Sequence, residues 1–412
     1  MSEEWPVWGQ NPSRTGHDPA LTRPQWPVRE EWRHDFAGRV AWDAPVVDSR
    51  GNLFVHVKMT QVDAPNFRSI SSNGSLNWAL KTSPGWGPCA PPPAVPDDRV
   101  ILPDTPEAWV VESDTGGLCY RTKLHPSGVT YPFPVVADGR IHTGFQTFSL
   151  ESGELLWKYD SNGPQRVIVI PEGEERPYPD GPTGVAPTVR DGTVYVAGTL
   201  YDGEIRFQRE NSEEEGSTEE RSSLVYSGEA DGSYHDEYDE WGHIHALDAA
   251  TGSLEWKTEF DTAIRAMTPP VATNDAIFVV DSEPRLHALD RTDGEKRWHV
   301  PFDVELISGW RPAVADGCVF LCAGNKVYAF DALDGAELWQ LAFDTQLAGP
   351  PAIADGVVHV STSNGMVAGI GVDGDRRWQL KVSESLRTGP VVTDGRLYVA
   401  GHELICLTGH AD

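Results

Sequence analysis

The stretch RPAVADGCVFLCAGNKVYAFDALDGAELWQLAF, residues 311–343, reads as one complete four-stranded sheet. A short apolar run, Ala313-Val314-Ala315, reaches Asp316-Gly317. An Asp-Gly pair at such a point signals a two-residue hairpin, because both turn residues need positive φ. A second strand alternates through Val319-Phe320-Leu321, a third follows at Val327 to Asp331, and Asp334-Gly335 turns into a fourth carrying Trp339. Strands joined by turns this short pair antiparallel with their neighbours.

The same grammar recurs along the chain. A glycine is followed four residues later by a large aromatic at Gly74/Trp78, Gly116/Tyr120, Gly153/Trp157, Gly252/Trp256, Gly294/Trp298, Gly335/Trp339 and Gly374/Trp378. Gly409, in the context Leu407-Thr408-Gly409, lacks its aromatic, while Trp32 lies in a strand-like run from Val28 to Phe36 with no such glycine before it. Counted from Trp32, successive aromatics stand 46, 42, 37, 99, 42, 41 and 39 residues apart, which is one supersecondary unit repeated with one large insertion. The Asp-Gly hairpin recurs at Asp138-Gly139, Asp191-Gly192, Asp355-Gly356 and Asp394-Gly395, with looser versions at Arg50-Gly51, Asp97-Asp98 and Asn274-Asp275. These units predict an all-β protein, an eight-bladed β-propeller of four-stranded antiparallel blades. Residues 28–36 supply the outer strand of the last blade and so protect its edge. Length alone suggests two to four domains at roughly 150 residues each; the repeat instead makes residues 1–412 one domain, with 1–27 as an N-terminal extension and 201–242 as an acidic insertion in blade four. Trp32, Trp78, Tyr120, Trp157, Trp256, Trp298, Trp339 and Trp378 are the expected inter-blade docking residues.

The run Ala246-Leu247-Asp248-Ala249-Ala250-Thr251-Gly252-Ser253-Leu254-Glu255-Trp256, echoed from Ala329 to Trp339, resembles the tryptophan-docking repeat of pyrroloquinoline-quinone (PQQ) dehydrogenases and their non-enzymatic relatives, outer-membrane assembly propellers among them. The opening Trp5-Pro6-Val7-Trp8-Gly9-Gln10-Asn11-Pro12-Ser13-Arg14-Thr15-Gly16 also resembles the start of many members. The resemblance covers nearly the whole chain and implies the fold; it leaves function open, since this fold hosts oxidation, assembly and recognition alike. Two departures point away from the enzymes. The dehydrogenases carry adjacent cysteines beside the quinone, whereas Cys89, Cys119, Cys318, Cys322 and Cys406 are dispersed, and there is no Cys-x-x-Cys-His haem motif. Cys318 and Cys322, four apart on one strand, have Cα atoms roughly 13 Å apart, too far for a disulfide. Dispersed thiols fit a reducing compartment.

The formal charge is −29, from 62 acidic against 33 basic residues, and only eight of the 33 are lysine. A carboxylate-rich, lysine-poor surface resembles that of haloarchaeal proteins, whose self-repulsion is screened at molar salt; an acidic mesophilic protein is the alternative. The same charge argues against nucleic-acid binding, which needs clustered cations. No stretch approaches the roughly 18 apolar residues of a membrane span, and Met1-Ser2-Glu3-Glu4-Trp5 does not read as a signal peptide. The expectation is a cytoplasmic monomer, or a surface protein had a leader been removed.

If each blade begins at its inner strand, inter-blade linkers share one face with the turns between second and third strands. Ser161 to Gly184 and Tyr201 to Gly242 both fall there and are expected to form one raised rim. The second excursion carries twelve acids between Glu210 and Glu240 against one base, Arg221, and reads as a solvated acidic loop. Just before the inner strands stand Arg39, Trp42, Trp86, Tyr131, Arg265, Trp310, Arg311 and Arg387, which are expected to ring the central opening. Arginines beside aromatics suit an anionic planar ligand or a partner's carboxylates; pairing with neighbouring acids is the plainer alternative. Asp231, Asp236 and Asp239 are the candidate cation ligands, for calcium, without EF-hand spacing. His142 and His359 fall at the second-strand position held by Tyr195, Phe278, Phe320 and Tyr398, and His245 and His287 match Tyr328, so flat packing accounts for them without a metal. The sequence thus predicts a non-catalytic binding or scaffolding propeller with a protein partner and no cofactor. A PQQ-dependent oxidoreductase and a glycan-binding surface protein are the alternatives.

Overall fold

A computed structural model provides the fold. It describes all residues except 1–5, 8, 12, 38, 42, 58–63, 83–91, 105–106, 125–132, 160–166, 170–174, 178–182, 185–186, 210–231, 265–267, 303–310 and 410–412; for 167–169, 175–177, 183–184, 200–209 and 232–240 it gives the backbone alone.

The strands form eight sheets, and no helix occurs among the described residues. Blade six is the sheet read from the sequence: Ala313–Ala315, Cys318–Ala323, Lys326–Asp331 and Glu337–Ala342, each antiparallel to the next. Blades one, three, five and seven repeat it. The turn chemistry is as expected: Asp316 and Gly317 adopt φ of 50° and 75°, and Asp355 and Gly356 adopt 46° and 66°, the doubly left-handed pair that matches strand twist. Blade two departs from the pattern. Its inner strand shrinks to one bridge, Ala94 to Ile101, because Pro92, Pro93 and Pro96 have no N–H to give a ladder.

Blade eight is built from both ends of the chain. Val28–Asp35 pairs antiparallel with Glu403–Gly409, from Val28 opposite Gly409 to Asp35 opposite Glu403. The ring therefore closes with the N-terminal strand as the outermost strand of the last blade.

Every outer-strand aromatic except Trp378 docks on the glycine of the next blade. A Cβ on Gly74 would lie 2.8 Å from the Trp32 ring, and one on Gly116 would lie 2.9 Å from Trp78. The indole nitrogens donate to carbonyls beside those glycines: Trp32 to Ser72 at 2.9 Å, Trp78 to Ser113 at 2.8 Å, Trp157 to Ala249 at 3.0 Å and Trp339 to Val372 at 2.8 Å. Within their own blades these rings lean on flat second-strand residues, at centroid distances of 6.2 Å for His142 on Trp157, 5.9 Å for Phe320 on Trp339, 5.8 Å for His359 on Trp378 and 6.0 Å for Tyr398 on Trp32. His142 and His359 thus stand where other blades use phenylalanine or tyrosine.

One expectation needs correction. Arg396 pairs with Thr408 as Cys318 pairs with Asp331, so Gly409 is the counterpart of Ala332 and not of the docking Gly335. Gly409 instead packs against the backbone of Gln25, and Trp378 is covered by Trp26, stacked at 6.3 Å and 23°.

Candidate functional site

The inner strands leave their inward edges facing the axis, and unpaired N–H groups there need partners. The chain's own N-terminal segment supplies them. Val95 N–H donates to Pro6 O at 2.8 Å, Ala272 to Ser13 O at 3.0 Å, Val314 to Thr15 O at 2.8 Å, Ile353 to Gly16 O at 2.9 Å and Gly395 to Thr22 O at 3.1 Å. Those donors belong to blades two, five, six, seven and eight. Blade four takes part through the Ser13 hydroxyl, which donates to Val189 O at 3.0 Å, and through Arg14 Nε, which donates to Pro187 O at 2.8 Å. Residues 6–25 therefore cross the axis and leave on the face of the Asp-Gly turns, where Arg23 N–H reaches the Asp355 carboxylate at 3.1 Å.

The segment is compact in itself. Gly16 N–H donates to Gly9 O at 2.9 Å, and the Asn11 side chain holds Thr15. Gly9, Gln10, Arg14 and Gly16 all have positive φ, at 102°, 76°, 58° and 66°. The glycines are required: a Cβ on Gly16 would meet the Ala313 Cβ and an Arg311 nitrogen, both at 2.9 Å.

Arg311, expected on the rim, is only 2 % exposed. Its Nη1 donates to Arg14 O at 3.5 Å, and Arg14 is fully buried. Burial pushes both guanidinium pKa values down, and for Arg14 the proximity of Arg311 adds to the shift. The two remaining described members of the predicted ring have other partners. Arg39 donates to Pro65 O at 3.0 Å and Arg387 is exposed, its backbone N–H bonded to Ala400 O at 2.9 Å; neither meets a carboxylate among the described residues. Trp42, Trp86, Tyr131, Arg265 and Trp310 lie outside the described residues.

Blade four carries the largest departure from the repeat. Its middle strands, Thr193–Arg209 and Gly232–Asp248, stay paired over their whole length, with Tyr201 opposite Glu240 and Arg209 opposite Gly232. Eleven residues per strand run on beyond Gly198 opposite His243, the counterpart of blade six's last pair Ala323 and Lys326, about 36 Å of extra hairpin at ~3.3 Å per residue. Val167–Val169 adds to this arm parallel to Glu204–Arg206, and Glu175–Pro177 adds beyond it. The two excursions thus join into one structure on the linker face. The flanks of the acidic loop are strand, while Glu210 to Asp231 lies outside the described residues. Asp236 stands opposite Ile205 and Asp239 opposite Asp202. No group of three potential metal ligands occurs among the described residues.

The buried histidines serve packing. His245 Nδ1 lies 2.8 Å from His243 Nδ1, against Phe145, and burial pulls both pKa values down. His287 Nε2 meets the Asp281 carboxylate at 2.7 Å. Cys322 and Cys406 are buried thiols, and none of the described cysteines is bonded to another.

A ring of eight four-stranded blades, stapled by aromatic rings on glycines, is the PQQ-type propeller architecture. The chain belongs to the family described as outer membrane protein assembly factor BamB, matched over residues 29–223, 240–342 and 323–408. No curated protein matches the sequence. Among solved structures it is similar to the quinohemoprotein alcohol dehydrogenase of Comamonas testosteroni (TM-score 0.71, 13 % identity, 100 % of this chain and 81 % of that one). It is also similar to a europium-containing methanol dehydrogenase (0.72, 12 %, 98 % of each chain) and to BamB from Moraxella catarrhalis (0.58, 14 %, 93 % and 99 %). At these identities the likeness concerns the fold.

Proposed function

We propose that the protein is a non-catalytic propeller that binds a protein partner through its linker face. The observation that carries this reading is the blade-four arm, a sheet of the chain's own strands that extends the second and third strands on the linker face. Insertions that extend a rigid scaffold on one face are a common way for repeat folds to build binding surfaces. The family's printed description, an assembly factor, favours the same class of role. The residues at the axis do not fit a quinone: Gly9, Arg14, Gly16 and Arg311 meet one another there, and the cysteines are dispersed. The acidic, lysine-poor surface supports a halophilic setting.

The test is an arm deletion in which Tyr201 is joined to Glu240, its cross-strand partner, through an Asn-Gly turn. Cross-linking in the native host at molar salt should give a partner adduct with the full chain and lose it with the deletion, at unchanged melting temperature. A partner retained by the deletion, or dye reduction by the protein mixed with quinone and calcium, overturns the reading.

A further inference from the structure

We propose that the seam between blades eight and one holds a binding site for a small oxyanion, formed by Arg39 and Arg68. Arg68 projects from the third strand of blade one, Phe67–Ile70, toward the closing strand. Its guanidinium lies 5.6 Å from the ring centroid of Phe36, which is fully buried. Its Nε is shut off from water and, among the described residues, meets no hydrogen-bond acceptor, and no carboxylate among them forms an ion pair with this side chain. Arg39 reaches the same place from the other side, where its Nη1 holds Pro65 O, three residues before Arg68. Burial first, and then the charge of Arg39, weakens the basicity of Arg68.

This departs from how the chain treats its other seam arginines. Arg33 bonds Glu30 and Glu403, Arg396 forks onto Glu31, and Arg285 meets Asp261, Asp281 and Glu283. Beside Arg68 the carboxylate of Asp35 takes the Ala37 N–H instead. In a chain with 62 acids, a pair of guanidinium groups that form no ion pair with a carboxylate among the described residues is a costly arrangement, because each is partly desolvated and they repel. An oxyanion between them reverses both terms, and the planar guanidinium fork suits a carboxylate or a tetrahedral anion. The seam is also where the ring closes, so occupancy would link anion binding to closure by mass action. The site does not depend on the partner-binding reading, since a small anion reaches it whether or not a protein docks on the linker face.

The experiment is calorimetric titration of the full chain with inorganic phosphate and, separately, with succinate, in molar potassium chloride at fixed ionic strength. Saturable binding of either anion is expected, and the stronger of the two identifies the source. Arg68→Gln and Arg39→Gln should each weaken it at least tenfold. Neither variant breaks an ion pair with a described carboxylate, and each also relieves the repulsion between the two guanidinium groups, so both should melt close to the parent in the absence of anion, which separates loss of the site from loss of the fold. Absence of saturable binding of both anions, or binding unchanged in the double variant, overturns the proposal.

Discussion

Trp32 lies flat on Gly74, close enough that a Cβ there would sit 2.8 Å from the indole, and its Nε1 holds Ser72 O at 2.9 Å. These two residues are 42 apart in sequence yet belong to the last and first blades, so this contact helps to shut the ring. Trp32→Ala should lower stability by about 3 kcal/mol, as large-to-small changes at packed sites do. Gly74→Ala should also destabilise, through its φ of +87° as well as the ring contact. Deleting residues 1–36 should expose the edge of Glu403–Gly409 and cause association. Melting and size-exclusion chromatography check this; a monomeric deletion with the parent melting temperature would refute closure.

Stability should rise with salt. With a formal charge of −29, self-repulsion is screened over about 3 Å at molar salt and over about 30 Å at 0.01 M. Melting temperature in potassium chloride should therefore fall steadily from molar to millimolar concentrations. An equal or higher midpoint at low salt removes the halophile assignment.

The architecture was legible because it is periodic: Asp316-Gly317 and Trp339 announce a hairpin and a dock, and their recurrence counts the blades. What escaped is non-periodic. The N-terminal plug works through backbone carbonyls of Pro6, Ser13, Thr15, Gly16 and Thr22, which leave no side-chain signature, and Ser13 meets Val189 across 176 residues. Its repeat position alone puts Arg311 on the rim, whereas its burial depends on the segment that covers it. Gly409 was misassigned because Thr408-Gly409 looks locally like the other turns, while register is set by the hairpin at Gly395. For the arm a signal was available: Tyr201, Ile205 and Phe207 alternate with Asp202, Glu204, Arg206 and Gln208, the period of a strand.

Acid should unfold the protein partly through its histidines. Burial lowers the pKa of His142 and His245 to about 4 and that of His359 to about 3. A depressed folded-state pKa means stability that is intact above the unfolded value near 6.5 and is lost as pH falls through the folded one. The unfolded chain takes up protons first, at about 1.4 kcal/mol per pH unit for each ring. His359→Phe, which copies Phe320 of blade six, should leave stability at pH 7 near the parent's and flatten the decline between about pH 6.5 and 4. Denaturant titrations across that range measure it. An unchanged slope in the variant would show that His359 ionises freely in the folded state.

The plug should prove part of the fold and not a removable tail. Residues of the 6–25 segment accept backbone hydrogen bonds from five blades, so their loss strands backbone donors near the axis and also takes Val7 and Leu21, both buried, out of the core. Gly16→Val tests the point without truncation: its side chain would press on Ala313, Arg311 and the Pro351 carbonyl, from a φ of +66° that a β-branched residue tolerates poorly. A loss of about 2 kcal/mol or more is expected, with Arg311 turned toward water. The complementary experiment supplies a synthetic peptide of residues 1–25 to a chain that begins at Gln25. Rescue of the melting temperature by the peptide, and not by one carrying Gly16→Val, is the expected result. A truncated chain that melts with the parent and ignores the peptide would show that the inner edges are satisfied without the N-terminal segment.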